Sequence, residues 1–244
     1  MMLMTIIPNL PEKNPEIFII NKFADESMFK STNARIIKGE KVQNLTAPTD
    51  THIDMQFVHL GGNKFVCEKS LYPYYKAVLG EKFDIVCGET ALESHYPGDI
   101  AYNIARVGRF VIHNFKYTDS VIKKYISDNN LVCVNVSQGY AKCNVCVADE
   151  NSVITEDRGI FNACEKHGID CLLIRSGYVS LKGYKNGFIG GASVKINKNT
   201  LAFFGEIENH PDFEKINDFL NTRSIKSVSL KKGALCDIGS AVVI

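Results

Sequence analysis

Phe57-Val58-His59-Leu60, Gly61-Gly62-Asn63, Lys64-Phe65-Val66-Cys67 reads as two apolar strands joined by a glycine-rich turn. That punctuation is the signature of a β-hairpin. The design returns at Asn103-Ile104-Ala105-Arg106-Val107, Gly108, Arg109-Phe110-Val111-Ile112. It returns again at Val145-Cys146-Val147-Ala148, Asp149-Glu150-Asn151, Ser152-Val153-Ile154, and at Ser193-Val194-Lys195-Ile196, Asn197-Lys198-Asn199, Thr200-Leu201-Ala202-Phe203-Phe204. A unit repeated at this size buries its faces against neighbouring copies. It also brings one polar segment per copy to a common place.

Behind each hairpin the apolar period changes from two to between three and four, which predicts helices over 71–79, 119–129, 158–167 and 211–222. Ser70 is placed as an N-cap, Gly80 and Gly168 sit just past helix ends, and Pro211 stands at a helix start. A short strand follows each helix, at 84–87, 131–134, 170–174 and 226–230. The N-terminal region offers Ile17-Phe18-Ile19-Ile20, a short helix over 25–30, and Ala34-Arg35-Ile36-Ile37, a unit without its first strand. The final Ala241-Val242-Val243-Ile244 is a strand without a unit. Pairing the two closes a ring and removes exposed sheet edges. A doubly wound parallel sheet uses one strand per helix, and no Gly-x-Gly-x-x-Gly marks a strand-to-helix turn here. The expected fold class is therefore α/β, with five ββαβ units around a pseudo-fivefold axis in one domain over 1–244.

The chain has 244 residues and a formal net charge of +1, with no long basic run, so a nucleic-acid partner is not expected. The opening Met1-Met2-Leu3-Met4-Thr5-Ile6-Ile7 lacks the basic flank and length of a signal peptide. No apolar run approaches a membrane span, so a soluble, cytoplasmic protein is expected. Of the eight cysteines, Cys67, Cys87, Cys133, Cys146 and Cys171 lie in apolar strand stretches and Cys164 lies on a helical stripe. These read as packed thiols rather than disulfide partners. Cys143 and Cys146 form a lone Cys-x-x-Cys, and on a strand positions three apart face opposite sides. Neither a metal nor another cofactor is expected. Cys236 differs, standing beside Asp237 and Ser240.

The order and size of the units resemble the pentein fold of the guanidine-modifying enzymes, an α/β propeller. More narrowly, the chain resembles an uncharacterised bacterial family of about this length assigned to that fold. The resemblance runs through Thr51-His52-Ile53-Asp54-Met55, Tyr96-Pro97-Gly98-Asp99-Ile100-Ala101-Tyr102-Asn103, Gln138-Gly139-Tyr140-Ala141-Lys142-Cys143-Asn144, Gly187-Phe188-Ile189-Gly190-Gly191-Ala192-Ser193 and Leu235-Cys236-Asp237-Ile238-Gly239-Ser240. In the catalytic members a His-x-Asp motif supplies an acid/base histidine and a substrate carboxylate, and a cysteine near the C-terminus attacks the guanidinium carbon. The resemblance thus implies His52 and Cys236 as catalytic residues and a small cationic guanidino or amidino compound as partner. The residue types suit that chemistry, since thiolates are nucleophiles near neutral pH, histidine shuttles protons and carboxylates grip planar cations.

Asp54, two residues from His52, and Asp237 join Asp99, Asn103, Asn144 and Ser193 as substrate-binding candidates. Each also has a local reading: Asp99 and Asn103 flank a Pro-Gly turn and satisfy backbone groups there, while Asn144 follows the Gly139 turn. Three departures from the enzymes stand out. The His-x-Asp segment comes early in the chain. Gly190-Gly191-Ala192-Ser193 takes the place of Glu-Gly-Gly-Asp. Counting from Gly233 puts either Cys236 or Asp237 at the nucleophile position. A non-catalytic binding protein, built like the ribosome anti-association factor of the same fold, is the alternative. His95, His113 and His210 read as loop or cap residues.

Overall fold

Alternating apolar residues bounded by glycine and asparagine turns form strands throughout the computed structural model, which describes residues 5–244. Met1-Met2-Leu3-Met4 lies outside the described residues, with most of the segment on which the targeting expectation rests. In chain order the elements begin with β1 (Ile17–Ile20), β2 (Arg35–Lys38), β3 (Phe57–Gly61), β4 (Lys64–Cys67), α1 (Tyr72–Leu79) and β5 (Asp84–Cys87). Then come β6 (Ala105–Val107), β7 (Phe110–His113), α2 (Ser120–Asp128), β8 (Val132–Asn135), α3 (Ala141–Asn144), β9 (Cys146–Asp149), β10 (Ser152–Thr155), α4 (Arg158–Lys166) and β11 (Asp170–Leu173). The last are β12 (Val179–Ser180), β13 (Ser193–Asn197), β14 (Thr200–Phe203), α5 (Phe213–Asn221), β15 (Lys226–Ser229), β16 (Leu235–Cys236) and β17 (Ala241–Val243).

Among the described residues these strands make five three-stranded sheets of one pattern: β17-β1-β2, β3-β4-β5, β6-β7-β8, β9-β10-β11 and β13-β14-β15. In each, the first strand runs antiparallel to the second and the second parallel to the third. A parallel pair needs a crossover, and α1, α2, α4 and α5 supply it in four sheets. In the fifth a 3-10 helix, Glu26–Thr32, does so. The chain's two ends meet in β17-β1, with Phe18 opposite Val243 and Ile19 opposite Val242. The sheets stay separate, and none closes into a barrel.

Each helix buries a narrow stripe: Tyr75 and Leu79, Ile122 and Ile126, Ile160 and Cys164, Ile216 and Leu220. The α1 stripe packs its Tyr75 ring 4.3 Å from Phe57. Phe29 of the 3-10 helix lies 4.8 Å from Phe18 and 5.9 Å from Phe204, tying the first unit to the last. Asp119 and Asp157 cap α2 and α4 by accepting from Val121 N and Ile160 N, each such cap contributing about 1 kcal/mol.

Several local expectations shift. Glu68, not Ser70, caps the turn before α1, because its carboxylate accepts from the Ser70 N–H. The last helix starts at Phe213, since the preceding Asp212 spends its carboxylate on Arg175. Cys133 is exposed because β8 is the outer strand of its sheet. All eight cysteines are free thiols. β12 and β16, not foreseen from the hairpin pattern, pair in parallel as Val179 with Leu235 and Ser180 with Cys236.

Candidate functional site

The segment leading into the first strand of each sheet is largely buried, and the five segments meet. A closed circuit of hydrogen bonds joins them. Asp54 N donates to Gly239 O at 3.3 Å, Ser240 N to Gly191 O at 2.8 Å, and Gly191 N to Cys143 O at 2.8 Å. Lys142 N donates to Asn103 O at 3.2 Å and to its Oδ1 at 2.8 Å. Asn103 Nδ2 then returns to Asp54 O at 3.0 Å. Buried backbone groups need such partners, and here each segment supplies its neighbour's.

His52, Asp54 and Asp237 are brought together within this circuit. His52 Nδ1 lies 4.0 Å from Asp54 Oδ1 and 3.8 Å from Asp237 Oδ1, and all three side chains are at most 2% exposed. Those separations exceed a hydrogen bond, and both His52 Nδ1 and Asp54 Oδ1 are buried without a partner. Asp237 Oδ1 also accepts from Gly239 N at 2.9 Å, and its Oδ2 from Phe188 N at 3.0 Å. Burial pushes the Asp237 carboxyl up to about 6; His52 and the two backbone donors oppose that rise and Asp54 adds to it. Gly191 makes room for this carboxylate, since a Cβ there would lie 2.0 Å from Asp237 Oδ1. Gly239 has φ +76, and its Cβ would meet that of His52 at 2.4 Å.

Asn103 is fully buried. Its Oδ1 accepts from both Lys142 N and Cys143 N, and its Nδ2 also reaches Cys143 Sγ at 3.2 Å. It therefore fixes the turn that carries Cys143. The Cys143 thiol donates to Asp54 Oδ2 at 3.0 Å, so the cysteine at this cluster is Cys143 and not Cys236. Burial, then the charges of Asp54 and Asp237, push that thiol well above its usual range. Cys143 lies on the one-turn helix α3 rather than on a strand, which is why the expected strand geometry of the Cys-x-x-Cys pair does not apply.

Cys236 is half-buried on β16, and its Sγ contacts the Asp237 carbonyl at 3.8 Å. Neighbouring positions of an extended chain face opposite ways, so the slip left open by counting from Gly233 resolves with Asp237 turned to His52. Asn144 spends its amide on Tyr140 O at 2.9 Å, within its own turn. Ser193 Oγ bonds Gly190 O at 3.3 Å and its carbonyl accepts from Ser240 Oγ at 2.9 Å. Asp99 accepts from Tyr140 OH at 2.5 Å while its Oδ1 is buried without a partner. Tyr140 lies 5.7 Å from the half-exposed ring of Tyr96.

Glu156 was not singled out from the sequence, and Cys143 was read there only as a structural thiol. Glu156, just past β10, accepts from Ile189 N at 3.0 Å while its other oxygen has no partner. Burial pushes it up to about 7, with the Asp237 charge adding to the effect. Cys143 was legible through register: like Asp54 and Gly190, it stands three residues before its hairpin's first strand. Among the described residues no three His, Cys, Asp or Glu side chains converge as metal ligands.

Residues 20–242 match the model of a family of unknown function, DUF6873. No curated protein sequence matches the chain. Solved structures do resemble it. Agmatine deiminase of C. jejuni superposes with a TM-score of 0.55 at 12% identity, covering 93% of this chain and 91% of the enzyme. A cysteine-to-serine mutant of DDAH from Pseudomonas aeruginosa, complexed with citrulline, gives 0.57 at 5% identity over 88% and 92%. The inosamine-phosphate amidinotransferase of Streptomyces griseus gives 0.54 at 9% identity over 95% and 92%. All share the guanidine-modifying-enzyme fold, and at these identities the likeness establishes the fold alone.

Proposed function

This chain belongs to the DUF6873 family and has the fold of the guanidine-modifying enzymes, and from that premise we propose that it binds a small guanidino or amidino cation at His52, Asp54 and Asp237. The five sheets are then the blades of one propeller domain about a pseudo-fivefold axis, with these side chains at its hub. The observation that carries the reading is the buried, unbonded face-off of His52 Nδ1 with Asp54 and Asp237 at 4.0 and 3.8 Å. A buried carboxylate oxygen without a partner, as at Asp54 Oδ1, is costly, and a planar cation with several N–H groups is the guest that relieves it. The Tyr96 and Tyr140 rings, beside Asp99, add faces that attract a cation.

A hydrolytic step fits the same residues, with Cys143 in the role first given to Cys236. Burial and then the charges of Asp54 and Asp237 hold the thiol protonated, and the cation's charge offsets the latter two. The thiol proton passes to Asp54, and the thiolate attacks the guanidinium carbon. Protonated His52 gives its proton to the departing amine. Water then adds to the thiouronium carbon, giving up a proton to His52; as the C–S bond breaks, Asp54 returns its proton to the sulfur, and the adduct's hydroxyl proton leaves with ammonia as ammonium, releasing a neutral ureido product.

The experiment is calorimetric titration with a guanidino and amidino panel, alongside ammonia release. Binding lost in Asp54→Asn and Asp237→Asn supports the site. Binding without ammonia release leaves a receptor rather than a hydrolase. One observation favours a non-catalytic, partner-binding reading: Asn103 and Cys143 spend their polar groups holding neighbouring segments together. No binding by any member of the panel would favour that reading and remove the first.

A further inference from the structure

Beside the axial cluster, residues 5–10 cross the molecule and are tied down on it. Gly62 N donates to Ile6 O at 3.2 Å, Asn9 Nδ2 donates to Arg106 O at 3.0 Å, and Leu10 is buried. Asn9 lines two adjoining cavities of about 30 and 10 Å³, which also share Lys142 and Ser240. Arg106 and Asp54 line the larger and Lys195 the smaller. Space of this size accommodates a water molecule or a monatomic ion.

The lining carries three cations, Lys142, Arg106 and Lys195, against one carboxylate, Asp54. Lys142 Nζ donates to Ser240 Oγ at 3.0 Å, and Lys195 Nζ donates to Ala148 O at 2.6 Å, leaving two N–H groups on each ammonium. Arg106 uses Nε on Gly108 O and one terminal nitrogen on Leu60 O. Among the described residues none of these three cations is in an ion pair. Asp149 and Glu12 act on Lys195 from beyond that distance, and burial still pulls its ammonium down to about 8. Lys195 is only 5% exposed, and a buried charge outside a direct ion pair is unfavourable. Asp54, the one carboxylate in the lining, accepts from the Cys143 thiol at Oδ2 and keeps Oδ1 without a partner, so the three cations leave the lining with a net positive charge.

We infer that these adjoining cavities bind one halide-sized inorganic anion, held by the Lys142 ammonium with Arg106 and Lys195 flanking and Asn9 of the N-terminal segment closing over it. The site lies behind Asp54, and its ligand is opposite in charge to the one proposed at His52. Lys142 precedes Cys143, and Ser240 follows Gly239, so the anion would steady two segments of the hydrogen-bond circuit.

The full chain melted in potassium bromide and in potassium gluconate of equal ionic strength tests this. Bromide 100-fold above its Kd is expected to raise Tm by roughly 5–10 °C over gluconate, and Lys142→Gln to remove most of that difference. Bromide anomalous scattering from crystals of the unaltered protein is expected beside Lys142 Nζ and Ser240 Oγ. Identical melting in the two salts overturns the proposal, as does an undiminished bromide effect in a folded Lys142→Gln protein or an anomalous map without that peak. Should Lys142→Gln not fold, the map on the unaltered protein decides. None of these readings uses a guanidino ligand, so failure here is separate from failure of the cation site.

Discussion

The Cys143 thiol donates to Asp54 Oδ2 at 3.0 Å across 89 residues of sequence. A thiol so placed keeps its proton, because its loss would set a second negative charge beside a buried carboxylate. Alkylation at pH 8, followed by peptide mass mapping, is expected to modify exposed Cys133 first and to leave Cys143 unmodified until the fold opens. Rapid labelling of Cys143 in the folded protein would contradict the assigned geometry.

Replacement of Gly191 by alanine puts a Cβ 2.0 Å from Asp237 Oδ1. The carboxylate has little freedom to retreat, being held by Gly239 N and Phe188 N. Gly191→Ala is expected to cost about 1–3 kcal/mol in urea unfolding and to displace Asp237 from His52. An unchanged midpoint would show that the cluster yields more readily than its hydrogen bonds imply.

Stability is expected to peak at weakly acidic pH. Glu156 is raised to about 7 and Asp237 to about 6. For a carboxyl raised on folding, the protonated form is the one the fold favours. That contribution is complete below the unfolded values near 4 and is lost as pH climbs through 6 to 7. His59 and His113 are lowered to about 4 by burial, so their contribution is present above 6.5 and lost as pH falls toward 4. Glu156→Gln keeps an acceptor for Ile189 N and removes the charge. It should match the wild type near pH 4.5 and exceed it by about 1–3 kcal/mol at pH 8. Denaturant midpoints across that range check both arms.

Deletion of residues 241–244 removes the antiparallel partner of β1 and three buried residues, Ala241, Val243 and Ile244. At about 1.5–3 kcal/mol for each large apolar side chain, the loss approaches the whole net stability of a domain. The truncated chain is expected to lack a cooperative thermal transition by circular dichroism. A sharp transition near the full-length Tm would show that the β17-β1 seam contributes little.

The hairpins at Phe57, Ala105, Cys146 and Ser193 were legible because turn glycines and asparagines interrupt alternating apolar runs, a local signal. The pairing of Ile19 with Val242 was legible for a different reason: one unit lacked a strand and one strand lacked a unit. The cluster around His52 was harder to read. His52, Asp54 and Asn103 stand out by type, whereas Cys143 looked like the other packed thiols, and only its register before β9 distinguishes it. Whether Cys236 or Asp237 turns inward depends on the extended run set by β12, a two-residue strand with no sequence period of its own. Glu156 was hidden because the groups that act on it, the Ile189 N–H and the Asp237 charge, are distant in sequence.

The clasp between Phe18 and Val243 has a consequence for how the protein is made. On a translating ribosome, β1 and β2 emerge early, yet the sheet they begin waits for the distant β17. Until β17 has emerged, the wholly apolar Ile17–Ile20 edge stays available to other partners, and such unfinished edges are where nascent chains go astray. Synthesis rate and chaperone supply should therefore govern the yield of this protein more than the stability of its finished form.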